Sequence, residues 1–263
     1  MSVNLPAEWD IPEFQEYVFK PRLSRYALVV PVINEGERIR NQLLAIQALG
    51  VELDVVVADG GSTDGSLQLE FLNNAGVTTL LVNRGPCGLS AQLRIAYAWA
   101  LVQGYQGIIT MDGNGKDGVD GIPLFVQALK DGYDLIQGSR YIPGGVAENT
   151  PLNRYLAGRL IHAQLINISA GFRFSDTTNG FRAYSVQALR DPRVAPFRPV
   201  FKAYGLLFYL SVRIPQLGYR VCEVPVSRRY PAKFPVPTKI DGIRGRIAMM
   251  GELLDAVSGR LNP

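Results

Sequence analysis

Two stretches of this sequence decide its fold: VVVADG at residues 55–60 and IITMDG at residues 108–113. Each is a short run of β-branched and apolar residues that ends in Asp-Gly. Runs this short and this apolar are typical of parallel strands that are covered on both faces. Because ligands of open α/β sheets bind beyond the carboxyl ends of the strands, Asp59 and Asp112 are predicted to reach one ligand. The pattern predicts a nucleotide and metal site at this edge of the sheet.

Strands and helices alternate on both sides of these two stretches. Further strands are predicted at residues 27–32, 78–82 and 134–137. The alternation over residues 27–140 predicts an α/β protein with a doubly wound, mostly parallel sheet. Asn34 and Glu37 have the spacing of a capping box, so the first helix is predicted to start at Asn34 and to end at Gly50.

The alternation stops in the C-terminal half. Residues 151–170 are predicted to be helical, and strands are predicted at residues 181–184 and 220–226. An amphipathic helix is predicted over residues 241–258. Its apolar face comprises Ile243, Ile247, Met250 and Leu254. Such a face either packs on its own domain, which we favour, or lies on an anionic membrane surface.

These elements indicate three parts of the chain. Residues 1–25 are expected to be an N-terminal leader interrupted by prolines, and residues 26–230 one α/β domain. Residues 231–263 are expected to be an amphipathic helix region that packs on the same domain.

Composition narrows the class of protein. The net charge is only +4, which gives no reason to expect nucleic acid as a partner. Basic residues are concentrated in residues 182–246, which suits a polyphosphate ligand, an anionic membrane or a solvated rim. Two cysteines without metal spacing favour a reducing, cytoplasmic compartment, and a single histidine excludes a multi-histidine metal site. Neither a Gly-x-Gly-x-x-Gly motif after the first strand nor a P-loop motif occurs, which removes the main support for dinucleotide and P-loop classes.

Five motifs occur in a fixed order. They are VPVINE at 30–35, DGGSTD at 59–64, MDGN at 111–114, IQGSR at 136–140 and DTTNGFR at 176–182. Over about residues 26–230 the chain resembles family 2 glycosyltransferases, and is most similar to their dolichyl-phosphate mannosyltransferase-like branch. The resemblance implies the GT-A (nucleotide-diphospho-sugar transferase) fold with a C-terminal extension on the acceptor side.

The resemblance also implies a nucleotide-sugar pocket. The predicted pocket residues are Pro31, Val32, Asn34, Glu35, Asp59, Gly61, Asp112, Gly113, Asn114, Arg140 and Arg154, with Arg229 and Lys233 as further cations for phosphate. Asp59 and Glu35 are expected to hydrogen-bond the base or the ribose. Asp112 and Asn114 fall on the Asp-x-Asp metal motif of the family.

Asn114 and Lys116 depart from the family pattern. Asn114 keeps a carbonyl oxygen for a cation but removes one negative charge, and Lys116 stands where relatives commonly carry Gln or His. We therefore expect Mg²⁺ or Mn²⁺ to bind weakly to Asp112 and Asn114, because hard cations favour charged oxygen ligands. Lys116 is either a counter-charge for the diphosphate or a solvated loop lysine, and we slightly favour the second.

The implied reaction is inverting transfer of a hexose from a nucleotide-diphospho-sugar donor. The predicted catalytic residues are Asp112, Asp117, Asp176 and Arg140. A hydroxyl acceptor needs a general base, for which Asp117 and Asp176 are the candidates. A phosphate acceptor, including a polyprenyl phosphate at the cytoplasmic face of a membrane, needs cations such as Arg154, Arg229 and Lys233 instead.

Two other functions remain open from the sequence. A sugar nucleotidyltransferase shares the α/β nucleotide fold, but residues 31–38 lack the expected Gly-rich basic loop. A degenerate nucleotide-sugar-binding protein without turnover is favoured only by Asn114. The base, the sugar, the acceptor and the oligomeric state are not specified by these motifs.

Overall fold

The computed structural model describes residues 5–86, 88–231 and 242–263. The strands are β1 Phe14–Val18, β2 Tyr26–Val32, β3 Asp54–Asp59, β4 Val77–Asn83, β5 Gly107–Thr110, β6 Leu135–Ser139, β7 Val146–Glu148, β8 Arg182–Ser185, β9 Val221–Pro225 and β10 Ser227–Arg229. The α-helices are α1 Glu37–Leu49, α2 Leu69–Asn74, α3 Leu89–Val102, α4 Ile122–Lys130, α5 Leu152–Ala157, α6 Ala163–Ala170, α7 Val186–Arg190, α8 Gly205–Gln216 and α9 Gly242–Val257. A π-helical turn, Gly158–His162, joins α5 to α6.

The central sheet confirms the predicted fold class. Among the described residues it has eight strands in the order β1-β4-β3-β2-β5-β8-β6-β9. Strands β4, β3, β2 and β5 are parallel neighbours, with Val29 opposite both Val56 and Thr110. β8 runs antiparallel between β5 and β6, and β9 is parallel to β6. The sheet is mostly parallel, and the two Asp-Gly strand ends point to one edge.

The predicted leader contributes a strand that the sequence reading missed. β1 pairs antiparallel with β4 at the sheet edge, with Phe14 opposite Asn83. Upstream of β1, the ring of Trp9 lies 4.2 Å from that of Phe197, so this segment also packs on the core. The prolines that suggested a loose leader lie outside the strand, where they leave its hydrogen bonds intact.

Helix α1 begins later than the capping-box spacing predicted. Gly36 is the residue before its first turn, and Asn34 has a positive φ of 49°. The Asn34 side-chain oxygen accepts the backbone N–H of Thr63 at 2.8 Å and does not cap the helix. The predicted N-cap is therefore wrong, because Asn34 bonds to the loop after β3. The predicted end is confirmed: Gly50 closes α1 in the left-handed conformation with φ 64°.

Two apolar layers cover the faces of the sheet. On one face, α3 is buried along its whole length from Ser90 to Leu101 between the sheet and helix α8. On the other face, α1 and α4 pack with β2, β3 and β5. A helix that is buried all round belongs to the interior of a protein, so α3 anchors the sheet.

The face that α9 buries differs from the predicted one. Leu253 and Ala256 are almost fully buried, whereas Ile247 and Leu254 are 66% and 48% exposed. Met250 is partly buried, as predicted, and the side chain of Ile243 lies outside the described residues. Among the described residues, none of the helices is both long and apolar enough to cross a bilayer.

Candidate active site

The loops after β2 and β3 are tied together at the carboxyl edge of the sheet. Asp59 is buried at the end of β3, and its Oδ1 accepts the backbone N–H and the hydroxyl of Ser62 at 2.9 and 2.7 Å. The Ser62 hydroxyl in turn accepts the backbone N–H of Asn34 at 3.0 Å. Asp64 accepts the backbone N–H of Gly36 at 2.8 Å. The two loops therefore form one hydrogen-bonded wall, called here the nucleoside wall.

The remaining predicted nucleoside residues lie beside this wall. Pro31 and Val32 are buried in the last two positions of β2, and Gly61, two residues after Asp59, has a positive φ of 94°. Glu35 is largely buried, with Oε2 2.7 Å from Nη2 of Arg38. The fold thus brings the VPVINE and DGGSTD motifs together.

The loop that carries Asp112 is fixed against α1. Gly113 donates its backbone N–H to the carbonyl of Pro31, and the side chain of Gln42 bonds to the backbone of both Asp112 and Gly115. A Cβ atom on Gly113 would lie 2.8 Å from the Val32 side chain, so only glycine fits this approach. Asp112 is thereby held beside the nucleoside wall.

Asp112 forms an ion pair with an arginine of the same chain. Its Oδ2 lies 3.2 Å from Nη2 of Arg228, and Nη1 of the same guanidinium lies 2.5 Å from Oδ2 of Asp117. The Arg228 side chain is 9% exposed, and that of Asp117 is 0% exposed. Burial raises the pKa of Asp117 against the opposing charge of Arg228. Burial alone would lower the pKa of Arg228, but Asp117 and Asp112 raise it, so Arg228 stays charged.

Arg228 reaches this position through the small sheet of β7 and β10. Arg228 pairs with Ala147 in that sheet and forms an isolated bridge with Asp117. Successive residues of a strand point to opposite faces, so Arg228 and Arg229 point apart. Arg229 is 61% exposed and pairs with Glu148 at 3.0 Å. Arg229 therefore lies on the exposed side and Arg228 takes the inward position, while the pocket role of Arg229 stays a prediction.

Asn114 and Lys116 lie in the loop that carries Asp112. The Asn114 amide nitrogen lies 3.4 Å from Asp112 Oδ2, and its carbonyl oxygen accepts the backbone N–H of Lys116 at 3.2 Å. Lys116 is 9% exposed, and its ammonium lies 5.5 Å from the ring centre of Tyr230. We slightly favoured Lys116 as a solvated loop lysine. This expectation is wrong, because its side chain is buried beside the ring of Tyr230. Burial and the charge of Arg228 lower the pKa of Lys116.

The fourth and fifth motifs meet in a buried ion pair. Arg140, just after β6, contacts both carboxylate oxygens of Asp176 at 2.6 and 2.8 Å and also bonds to the hydroxyl of Thr178. Burial alone would raise the pKa of Asp176, but the hydrogen bonds and charge of Arg140 lower it. Glu223 accepts the backbone N–H groups of Ser175 and Asp176, which fixes the loop from below.

Both predicted general bases are therefore occupied. The side chain of Asp117 is inaccessible to solvent and forms an ion pair with Arg228. Asp176 is 1% exposed, and Arg140 contacts both of its carboxylate oxygens. A general base has to reach the proton that it removes and needs a pKa near the working pH. In this structure both carboxylates are engaged by arginines, which does not favour either as a base, and their catalytic role stays a prediction.

Cations gather around Tyr230, a residue that the sequence reading did not select. The ring centre of Tyr230 lies 5.5 Å from the Lys116 ammonium, 5.8 Å from the Arg228 guanidinium and 6.0 Å from the Arg154 guanidinium. Burial would raise the pKa of Tyr230, but Arg228 and Arg140 lower it. We call Lys116, Arg154, Arg228 and Tyr230 the cation cluster. The available signal was that Tyr230 directly follows β10, two positions after Arg228.

A cleft lies next to the cation cluster. It is lined by Tyr141, Arg154, Tyr155, Arg159, Asp176 and Thr178. Lys233, predicted as a further cation, lies outside the described residues. Nucleoside wall, cation cluster and cleft follow one another along the carboxyl edge of the sheet, an order that suits a nucleoside, its phosphates and an acceptor.

The profile of the family described as glycosyl transferase family 2 matches residues 27–191, and the chain belongs to this family.

Curated relatives fall within the branch that the motifs indicated. An undecaprenyl-phosphate mannosyltransferase from Micrococcus luteus is 29% identical over 208 residues, which cover 77% of this chain and 83% of the relative. A polyprenol monophosphomannose synthase from Mycolicibacterium smegmatis is 26% identical over 242 residues, covering 91% and 89%. These matches confirm the dolichyl-phosphate mannosyltransferase-like branch.

Solved structures agree on the fold. Glucosyl-3-phosphoglycerate synthase from Mycobacterium tuberculosis, crystallised with Mn²⁺, UDP and glucosyl-3-phosphoglycerate, superposes with a TM-score of 0.62 at 17% identity. The superposition covers 89% of this chain and 80% of the synthase. This likeness confirms the GT-A architecture.

The donor set at the metal position of the family does not fit a preformed divalent site. Among the described residues, no three His, Cys, Asp or Glu side chains converge as ligands. Asp112 already faces the guanidinium of Arg228, and Asn114 turns its amide N–H group, not its carbonyl oxygen, towards Asp112. Weak binding of Mg²⁺ or Mn²⁺ by Asp112 and Asn114 stays a prediction.

Proposed function

We propose that this glycosyltransferase moves a hexose, with inversion, from a nucleotide-diphospho-sugar to the phosphate of a polyprenyl phosphate. One observation carries the choice of acceptor: both candidate bases, Asp117 and Asp176, are bound to arginines, while cations gather beside the cleft. A phosphate oxygen is already an anion and needs no base, but it does need positive charge. The names of the relatives from Micrococcus luteus and Mycolicibacterium smegmatis support the same acceptor.

The proposed donor lies along the edge of the sheet. Asp59 and Glu35 hold the nucleoside at the nucleoside wall, and the diphosphate lies over Asp112 towards the cation cluster. Family membership favours transfer of a sugar over transfer of a nucleotidyl group. Arg140, held rigidly by Asp176, faces the phosphates as a fixed charge that needs no reorganisation during the reaction.

The reaction step follows from these charges. An oxygen of the acceptor phosphate attacks the anomeric carbon, and the bond from that carbon to the β-phosphate oxygen breaks. The electron pair stays on the β-phosphate, so the departing nucleoside diphosphate gains one negative charge. The protein accelerates the step by stabilising that charge with fixed N–H donors.

An exposed apolar surface supports a lipid acceptor. The outer side of α5, the π turn and α6 exposes Leu152, Leu156, Leu160, Ile161 and Ile168. Arg154 and Arg159 lie within the same segment and also line the cleft. Apolar residues flanked by arginines suit the surface of an anionic membrane. We propose peripheral association with the cytoplasmic face of a membrane.

Transfer to lipid tests the proposed function. Purified protein is incubated with GDP-mannose, UDP-glucose and other labelled donors in vesicles that contain undecaprenyl phosphate. We expect one donor to give a lipid-linked hexosyl phosphate and a free nucleoside diphosphate. Release of pyrophosphate would favour a nucleotidyltransferase, and donor binding without turnover on any acceptor would favour a degenerate binding protein.

Vesicle flotation tests the apolar surface separately. Leu160→Ser/Ile161→Ser should weaken binding to phosphatidylglycerol vesicles by about tenfold or more, because each side chain loses most of its apolar burial in lipid. The matched control is Leu44→Ser/Leu69→Ser, which changes two leucines of similar exposure, 47% and 45%, on the helices α1 and α2. Equal binding of both double variants would show that α5 and α6 do not contact lipid.

A further inference from the structure

The carboxylate expected to hold a metal already has a counter-ion. Arg228 lies between Asp112 and Asp117, with nitrogen–oxygen distances of 3.2 and 2.5 Å. A divalent cation bound to Asp112 would lie within a few ångströms of this guanidinium. Two like charges at that separation repel strongly where water is scarce. Asp117 anchors Arg228 from the buried side, so the guanidinium cannot simply withdraw.

The two departures from the family pattern change the charge of the loop after β5 by a defined amount. Relative to an Asp-x-Asp-x-Gln pattern, Asn114 removes one negative charge and Lys116 adds one positive charge. Together the two changes make the loop more positive by two charges, which is the charge of one divalent cation. Both changes lie in the loop next to Asp112, and the amide nitrogen of Asn114 is 3.4 Å from its carboxylate.

Lys116 is buried close to two arginines. It is 9% exposed and shares the ring of Tyr230 with Arg154 and Arg228. Positive charges that lie together inside a protein favour the binding of an anion beside them. A diphosphate carries that negative charge.

We propose that Lys116 and Arg228 take the place of the divalent cation, so that this chain binds its nucleoside diphosphate and transfers the sugar without a metal ion. Their N–H groups hold the diphosphate and receive the negative charge that it gains when the bond from the anomeric carbon breaks. The transfer step rests on the proposed function, whereas diphosphate binding does not.

Calorimetry of GDP and UDP tests the binding step. We expect the same affinity for the bound nucleotide in EDTA and in Mn²⁺. Lys116→Gln should weaken binding about tenfold, the loss of one charge-assisted contact. Lys130→Gln, an exposed lysine in the last turn of α4, should leave the affinity unchanged. Loss of binding in EDTA, or equal effects of the two lysine variants, would overturn the proposal.

A converted variant gives a readout that does not depend on activity. Asn114→Asp/Lys116→Gln restores the Asp-x-Asp-x-Gln pattern and should bind Mn²⁺ more tightly than the wild type, as measured by the electron paramagnetic resonance of free Mn²⁺. Its nucleotide affinity should fall in EDTA and recover with Mn²⁺. Tight Mn²⁺ binding by the wild type would contradict the inference. Failure of all donors to transfer would overturn the proposed function, while diphosphate binding in EDTA would still decide the role of Lys116 and Arg228.

Discussion

The nucleoside wall and the cation cluster are built in different ways. The wall joins two loops that directly follow neighbouring strands, through hydrogen bonds such as those from Ser62 to Asp59 and from Asn34 to Ser62. In the cation cluster, Arg228 is held by a buried ion pair with Asp117, which lies 111 positions earlier in the chain. The wall is thus a property of local motifs, whereas the cluster exists only once the C-terminal half has folded onto the sheet.

The largest predicted effect concerns the buried ion pair. Arg228→Gln should lower the free energy of unfolding by about 3–5 kcal/mol, because it leaves the inaccessible Asp117 without its partner. The adjacent Arg229→Gln should cost less than about 1 kcal/mol, because that arginine is 61% exposed. Urea unfolding of both variants measures the difference. Equal losses of stability in the two variants would contradict the assignment of Arg228 as the buried partner of Asp117 and Arg229 as a surface residue.

Acid should act on the acceptor side through His162. Its Nδ1 lies 2.8 Å from the hydroxyl of Thr177, in the DTTNGFR motif, and burial and Arg182 lower the pKa of the imidazole to about 4. Because the folded-state pKa is depressed, this contribution to stability is complete above about pH 6.5 and is lost as the pH falls towards 4. At 1.36 kcal/mol for each pKa unit, the loss is about 3 kcal/mol.

Unfolding in urea at pH 7 and pH 4.5 measures this loss. His162→Asn keeps a polar group beside Thr177 but does not titrate, so its stability should fall less over the same interval. A parallel fall in wild type and variant would assign the acid sensitivity to carboxylates elsewhere.

A smaller effect is expected at the nucleoside wall. Asp59→Asn should weaken nucleotide binding about tenfold by removing a charged acceptor for the base or ribose. Its affinity should keep the salt dependence of the wild type, whereas Lys116→Gln should flatten it, because only the second variant removes a phosphate contact. Asp255→Asn, in the exposed part of α9, is the control. Equal salt dependence in the Asp59 and Lys116 variants would remove the distinction between wall and cluster.

The sequence predicted the sheet and the wall because both are encoded locally. The runs that end at Asp59 and Asp112 are strands β3 and β5 with their flanking turn, and the sheet order places both at one edge. The edge strand β1 was missed because Pro6 and Pro12 suggested a loose segment, although neither falls within the strand.

The charged residues of the site could be predicted only in part. Arg140 and Asp176 were selected from motifs, but their mutual ion pair, which buries both charged groups, depends on the fold. Arg229 was selected and Arg228 was not, although nothing in the sequence distinguishes the two adjacent arginines. Their alternation in a strand does distinguish them, once the register of β10 with β7 is known.

The central claim is that the acceptor is an anion and needs no base. The most direct measurement compares undecaprenyl phosphate with undecaprenol, the same lipid ending in a hydroxyl, as acceptors for the labelled donor. We expect transfer to the phosphate and none to the alcohol, because Asp117 and Asp176 are held by Arg228 and Arg140. Comparable transfer to undecaprenol would contradict it, since a hydroxyl acceptor requires a base that these ion pairs exclude.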